Sequence, residues 1–175
     1  YLLDQTLFTF PYDWRKSNVD TATLLKSKID EVKGVCHCAK VDVVAHSMGG
    51  LVAQYYAESS QYANDIDNLI FLGTPHKGAT ADYLTWEAGE FTGKEGLLLK
   101  FIFTLQAKEK GFDNLFDYVR NFPITSVQQL LPIYDYLKPV TNDGLIHYPS
   151  GYPINTFLEQ LDSKKSVLLT LGINI

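Results

Sequence analysis

The run at residues 41–51, V-D-V-V-A-H-S-M-G-G-L, constrains the fold more than any other stretch. Val41, Val43 and Val44, interrupted only by Asp42, suit a mostly buried parallel strand over residues 40–45. Ser47 follows two residues after Ala45, and Gly49-Gly50 open a helix predicted to reach residue 62, with Leu51, Val52, Tyr55 and Tyr56 on its inner side. A strand, a tight turn bearing a serine and then a helix leave the hydroxyl exposed at the strand end, with the helix N-terminus beneath it. Ala45 and Gly49 keep bulk away from that turn. Ala45 stands where the G-x-S-x-G pattern has its first glycine, a difference of one methyl group.

The surrounding chain alternates in βαβ-sized steps. Residues 7–10 form a short apolar strand candidate ending at Pro11. Residues 20–33 read as a helix, with Asp20 as N-cap, Leu25, Ile29 and Val32 as its buried stripe, and Gly34 as its stop. Residues 66–73 give another strand. Such alternation predicts an α/β fold, a mainly parallel sheet with helices on its faces. Active groups in these sheets gather at the C-terminal strand ends, where Ser47 and the loop at 74–79 both fall.

From residue 80 to about 152 the rhythm stops. Residues 97–105 are almost wholly apolar, and Phe112, Leu115, Phe116, Tyr118 and Val119 follow in a second helix-like stretch. This is too long for a plain connection. It reads as a helical lid whose apolar faces line an acyl-chain pocket or meet a lipid surface. A short helix ends near Pro132, and residues 142–144 and 149–153 are rich in turn formers. Thr156 with Glu159 then announces another helix, and the final V-L-L-T-L run continues it or begins a strand. The expected organisation is a core over 1–80, a lid over 81–152 and a return to the core over 153–175.

At 175 residues the chain can bury a core of its own. Twenty acidic against 15 basic residues, net charge −5, and the lack of any Lys/Arg run argue against a nucleic-acid partner. No apolar stretch approaches the ~18 residues of a transmembrane helix. Cys36 and Cys38 flank His37, three donors where a zinc site needs about four. They read as two free thiols near a surface turn, so no metal and no cofactor is expected.

Serine becomes a nucleophile when a histidine takes its proton and an acid orients that histidine. In elbow-bearing folds the order is Ser, then Asp or Glu, then His. His37 lies at the wrong end of its strand. His46 adjoins Ser47 but cannot swing back to it, and is expected to pack beside the turn. His76 sits at the right sheet edge but too early in the chain. His147 has the right order, with Asp135 and Asp143 before it, though nothing around it resembles a strand-end loop. The backbone N–H of Met48 is the natural first oxyanion donor. A second normally comes from a loop after an earlier strand. The Y-D-W-R cluster of Tyr12, Asp13, Trp14 and Arg15 reads as structural, with Asp13 and Arg15 pairing or fixing the loop over Trp14.

Three stretches carry a resemblance: F-P-Y-D-W-R at 10–15, A-H-S-M-G-G-L at 45–51 and L-G-T-P-H-K-G-A at 72–79. Together they resemble the lecithin:cholesterol acyltransferase and lysosomal phospholipase family of α/β-hydrolases, and their spacing is similar to that of bacterial triacylglycerol lipases. The resemblance is good over residues 5–80, extends to Leu130-Leu131-Pro132, and is vague across the lid. It implies an α/β-hydrolase core, an ester carbonyl attacked by Ser47, an acyl-enzyme, and release of the acyl group to water or an acceptor alcohol. Residue by residue it carries over only the roles of Ser47 and Met48, and it matches Asp13–Arg15 to a motif that is mainly structural; Asp13, Trp14, Arg15, His46, Thr74 and His76 are read as structural neighbours of the site. It also implies a strand and oxyanion loop before Tyr1 and a catalytic Asp and His beyond Ile175, so that the chain is an internal piece of a larger enzyme acting on lipid esters, at a membrane or micelle surface. Left open are a lipid acyltransferase, a non-catalytic domain that keeps the elbow as structure, and a complete enzyme using Asp143 or Asp135 with His147.

Overall fold

A computed structural model describes residues 1–93, 96–121, 124–140, 144–146 and 154–175. The described residues form two strands and seven helices, in the order α1 (Asn18–Cys36), β1 (Val41–His46), α2 (Met48–Glu58), β2 (Ile66–Leu72), α3 (Thr80–Ala88), α4 (Gly96–Glu109), α5 (Leu115–Asn121), α6 (Thr125–Gln129) and α7 (Thr156–Leu168). They divide into two compact units, Tyr1–His76 with Glu159–Ile175, and Lys77–Leu158.

In the first unit β1 and β2 pair in parallel, with Val43 opposite Leu69, Ala45 opposite Phe71 and His46 opposite Leu72. Parallel strands need a crossover, and α2 supplies it. One face of this sheet is covered. Ala45, Ile66 and Leu69 pack with Ala22, Leu25 and Ile29 of α1 and with Val52, Ala53, Tyr56 and Ala57 of α2. The other face is bare: Val44, Ile70 and Leu72 are exposed. Helices on both faces were the sequence expectation; among the described residues they cover one. Beyond β2, Asn174 forms a parallel bridge to Asn68, with Leu69 N–H donating to Asn174 C=O at 2.8 Å and Asn174 N–H to Asp67 C=O at 2.9 Å. A buried hydrogen bond from Tyr56 Oη to Asp65, 2.7 Å, ties the second half of α2 to the start of β2, and Lys33 approaches the same carboxylate at 3.8 Å.

Three local expectations are corrected. Helix α1 starts earlier than Asp20, because Ser17 is the cap and its Oγ accepts from Val19 N–H. It also runs through Gly34 to Cys36, ending where His37 turns left-handed at φ 53°. The cysteines are not free thiols but a Cys36–Cys38 disulfide spanning that turn, with Cα atoms 5.2 Å apart. Residues 8–10 form no ladder; the segment makes one isolated bridge, Leu3 to Leu7. A strand exists only against a neighbour, and Leu7–Phe10 instead line, together with Val41–His46, an open cavity of about 860 Å³.

In the second unit α3 packs against α5 and α6. Arg120 of α5 lies 3.8 Å from the Phe116 ring centre and pairs with Glu87 of α3 at 2.7 Å. Phe103 of α4 stacks on Phe91 with 5.0 Å between ring centres. Gly78, at φ 88°, lets the chain pass against Leu130–Pro132: a Cβ there would meet the Pro132 backbone at 2.6 Å. The T-x-x-E signature sits one residue off its cap, since Asn155 Oδ1 rather than Thr156 accepts from Leu158 N–H.

Candidate active site

Ser47 joins the C-terminal end of β1 to α2 with φ 52° and ψ −128°. No helix or strand uses this combination, and a residue with a Cβ pays of order 1–3 kcal/mol to hold it. Two backbone bonds pin the turn: Ser47 N–H donates to Leu72 C=O at 2.9 Å, and Gly50 N–H to Ser47 C=O at 3.0 Å. The Ser47 hydroxyl is not spent on capping, for it makes no cap hydrogen bond. Met48 is the first residue of α2, so its N–H is among those with no acceptor inside the helix. A hydroxyl beside unspent helix N–H groups is an arrangement able to hold an oxyanion.

The three stretches singled out in the sequence meet on α2. Tyr12 Oη lies 3.7 Å from where a Cβ on Gly49 would stand. Thr74 presses on Gly50, and a Cβ there would fall 1.9 Å from Thr74 Oγ1. The tight glycine is therefore Gly50, while Gly49 has ordinary room. His76 Nδ1 lies 2.8 Å from Gln54 Oε1, and its ring stands edge-on to Phe71, 4.8 Å between centres. Gln54 Nε2 donates to Glu58 at 2.9 Å, so its oxygen faces His76, which must donate from Nδ1 and leave Nε2 as an acceptor when neutral. Burial lowers the His76 pKa and favours that neutral form.

Asp13 and Arg15 form a two-pronged pair, Nε to Oδ1 at 2.8 Å and Nη2 to Oδ2 at 2.7 Å, with Arg15 N–H closing the loop onto Oδ1 at 3.1 Å. The Arg15 hydrogen bond pulls the Asp13 pKa down to about 2. Trp14 is half-buried between them. His46 ends β1 with an exposed side chain rather than packing beside the turn. Of the proposed acid and base partners, Asp135 is exposed in the second unit, and Asp143 and His147 lie outside the described residues. Gln54, which the structure buries to 3% exposure, was missed by sequence reasoning; its only signal there was a polar residue within the apolar run L-V-A-Q-Y-Y-A.

A strand–serine–helix turn of this kind, set in a parallel α/β unit, is the layout of a nucleophile elbow. The family model for lecithin:cholesterol acyltransferase matches residues 1–152, and the chain belongs to that family. Two relatives from Arabidopsis thaliana are similar to it. Lecithin-cholesterol acyltransferase-like 4 is 33% identical over 85 residues, 46% of this chain and 16% of that protein. Phospholipase A(1) LCAT3 is 34% identical over 83 residues, 45% of this chain and 19% of that protein. The matched stretch thus spans less than a fifth of either relative. No solved structure matches the chain.

Proposed function

We propose that these residues are the nucleophile-bearing part of a lipid esterase in which Ser47 forms an acyl-enzyme. The observation that carries this is the Ser47 backbone, φ 52° and ψ −128°, held at the end of β1 above the α2 N-terminus. Strain of this kind persists where it aims a side chain. Ser47 Oγ adds to the ester carbonyl as its proton passes to a histidine base. The oxyanion is held by Met48 N–H and a second donor. The C–O bond to the alcohol then breaks, the alcohol takes the proton from the histidine, and the acyl group remains on Ser47. Water or an acceptor hydroxyl repeats the sequence in reverse. Thr74, His76, Asp13, Trp14 and Arg15 hold α2 and its flanking loops in place.

The histidine, its carboxylate and the second oxyanion donor are assigned to parts of a longer polypeptide. Two features of the first unit support this. In a strand alternate residues point their N–H and C=O to opposite sides. Val41 and Ser47 N–H bond toward β2, so those of Asp42, Val44 and His46 face the cavity beside β1. An acyl chain there would leave these groups without partners, at ~1–3 kcal/mol each, whereas a further strand would satisfy them. On the far side of β2, Asn174 already begins a third pairing. The apolar stretches of residues 81–152 are assigned as the lid, favouring long acyl chains.

The test is hydrolysis of phosphatidylcholine by the full polypeptide that carries these residues, with Ser47→Ala beside it. Loss of at least ~10⁴-fold in kcat, together with an acyl adduct on the Ser47 peptide by mass spectrometry, is expected. Undiminished hydrolysis by the Ser47→Ala protein would refute the assignment. The family name favours a second reading, transfer to an acceptor alcohol through the same intermediate; adding the alcohol and weighing ester against free fatty acid separates the two.

A further inference from the structure

Gly50, Gln54 and Glu58 follow one another at four-residue spacing along α2 and so share one face of it. The turn after β2 runs along that face. Ser47 N–H donates to Leu72 C=O at 2.9 Å and His76 N–H to Thr74 C=O at 3.0 Å, while Thr74 sits against Gly50. Thr74 Oγ1 is buried with no hydrogen-bond partner among the described residues, so this side chain holds α2 by packing. The polar tie comes one helical turn further on. There His76 Nδ1 meets Gln54 Oε1 at 2.8 Å, and Gln54 Nε2 meets Glu58 Oε1 at 2.9 Å.

We propose that Glu58 and Gln54 are positioning residues for the Ser47 turn: the carboxylate orients the Gln54 amide, the amide fixes His76 as its Nδ1–H tautomer, and His76 thereby holds the turn at Leu72 and Thr74 against the start of α2. Its effect on rate rests on the lipid-ester reading above. The middle of this chain has no direction of its own, since an amide can face either way and a neutral imidazole can carry its proton on either nitrogen. Glu58 supplies the direction, because an ionised carboxylate only accepts. Glu58 is half-buried, and its Oε2 is buried with no hydrogen-bond partner among the described residues, so Gln54 is the donor this carboxylate has there. Burial raises the Glu58 pKa, while the Gln54 bond and Lys164 of α7 favour the charged form. Without the carboxylate, amide and ring can reverse together at no loss of hydrogen bonding. Gln54 Nε2 then donates to His76 Nδ1, and the proton moves to Nε2.

At about pH 8, where imidazole is neutral, nitrogen-15 spectra of the full polypeptide labelled in histidine report the tautomer directly. The signal missing from His76→Asn identifies His76. Imidazole left to water favours Nε2–H, so a His76 signal dominated by Nδ1–H is the expected result. One dominated by Nε2–H overturns the proposal, and this measurement needs no variant other than the one used for assignment. Glu58→Met keeps the length of the side chain and removes the acceptor; it should shift His76 toward Nε2–H, and an unshifted signal overturns the proposal. In phosphatidylcholine hydrolysis, Glu58→Met and Gln54→Met should each lower kcat by roughly ten- to a hundredfold with KM within about twofold. The combined variant should be no worse than either alone, as for members of one unit. Additive losses, or a loss confined to KM, overturn the proposal. Ser47 acylation is read separately: its failure strikes the esterase reading and leaves the tautomer result standing, and the reverse holds equally.

Discussion

The strained turn at Ser47 makes a quantitative prediction about stability. At φ 52° and ψ −128° any residue with a Cβ is held against steric repulsion worth ~1–3 kcal/mol, and glycine is not. Ser47→Ala keeps the Cβ and the strain; Ser47→Gly removes both. Against the relief stands the extra freedom glycine gives the unfolded chain, ~0.4–1 kcal/mol. Ser47→Gly should therefore be the more stable of the two by about 0.5–2 kcal/mol. At roughly 2–4 °C per kcal/mol for a chain of this size, that is about 1–8 °C in Tm. Glycine also outranks alanine at helix N-caps generally, and Ser17 supplies the control. It caps α1 at φ −59° and ψ 134°, an unstrained geometry. Subtracting the Gly–Ala difference at Ser17 from that at Ser47, in urea or thermal unfolding, isolates the strain. A corrected difference of zero or below would mean that the turn stores no energy, and the argument from backbone to nucleophile would fall with it.

Two further predictions concern Gly50 and Asp82. Gly50→Ala should destabilise by about 1–3 kcal/mol despite alanine's better helix propensity, because its methyl would meet Thr74 Oγ1, Cγ2 and Cβ at 1.9, 2.6 and 2.8 Å. Thr74→Gly in the same molecule should restore most of the loss, and additive losses in the double-mutant cycle would refute the contact. Burial raises the Asp82 pKa to about 6, against ~3.9 in an unfolded chain. Between these values the folded state holds the extra proton, so stability should fall as pH rises from about 4 through 6. Asp82→Asn should flatten that slope in urea titrations, and an unaltered slope would show that Asp82 does not titrate there.

Much of the site was legible because it is local. The elbow could be read from residues 41–51 alone, since strand, turn and helix are adjacent in sequence and each has its own residue chemistry. The Asp13–Arg15 pair was legible for the same reason. What escaped depends on contacts between distant residues. Nothing in the spelling of G-G says that the second glycine, rather than the first, lies against Thr74, and no local pattern joins Gln54 to His76 across 22 positions. The start of α1 was misplaced because Ser17 and Asp20 are both good caps and only the bond to Val19 decides. The residue 7–10 strand failed on a rule that propensity omits, for a strand is a property of a pair.

The bare side of the β1–β2 sheet has a practical consequence. Val44, Ile70 and Leu72 stand in the open, next to a strand edge whose backbone groups at Asp42, Val44 and His46 face a cavity. Sticky side chains beside an unclosed ladder are the two ingredients of edge-to-edge aggregation. Produced alone, this chain is a poor candidate for concentrated stocks, and its yield in bacteria will be governed by inclusion-body formation before catalysis is ever measured. A lysine at Val44 is the simplest gatekeeper.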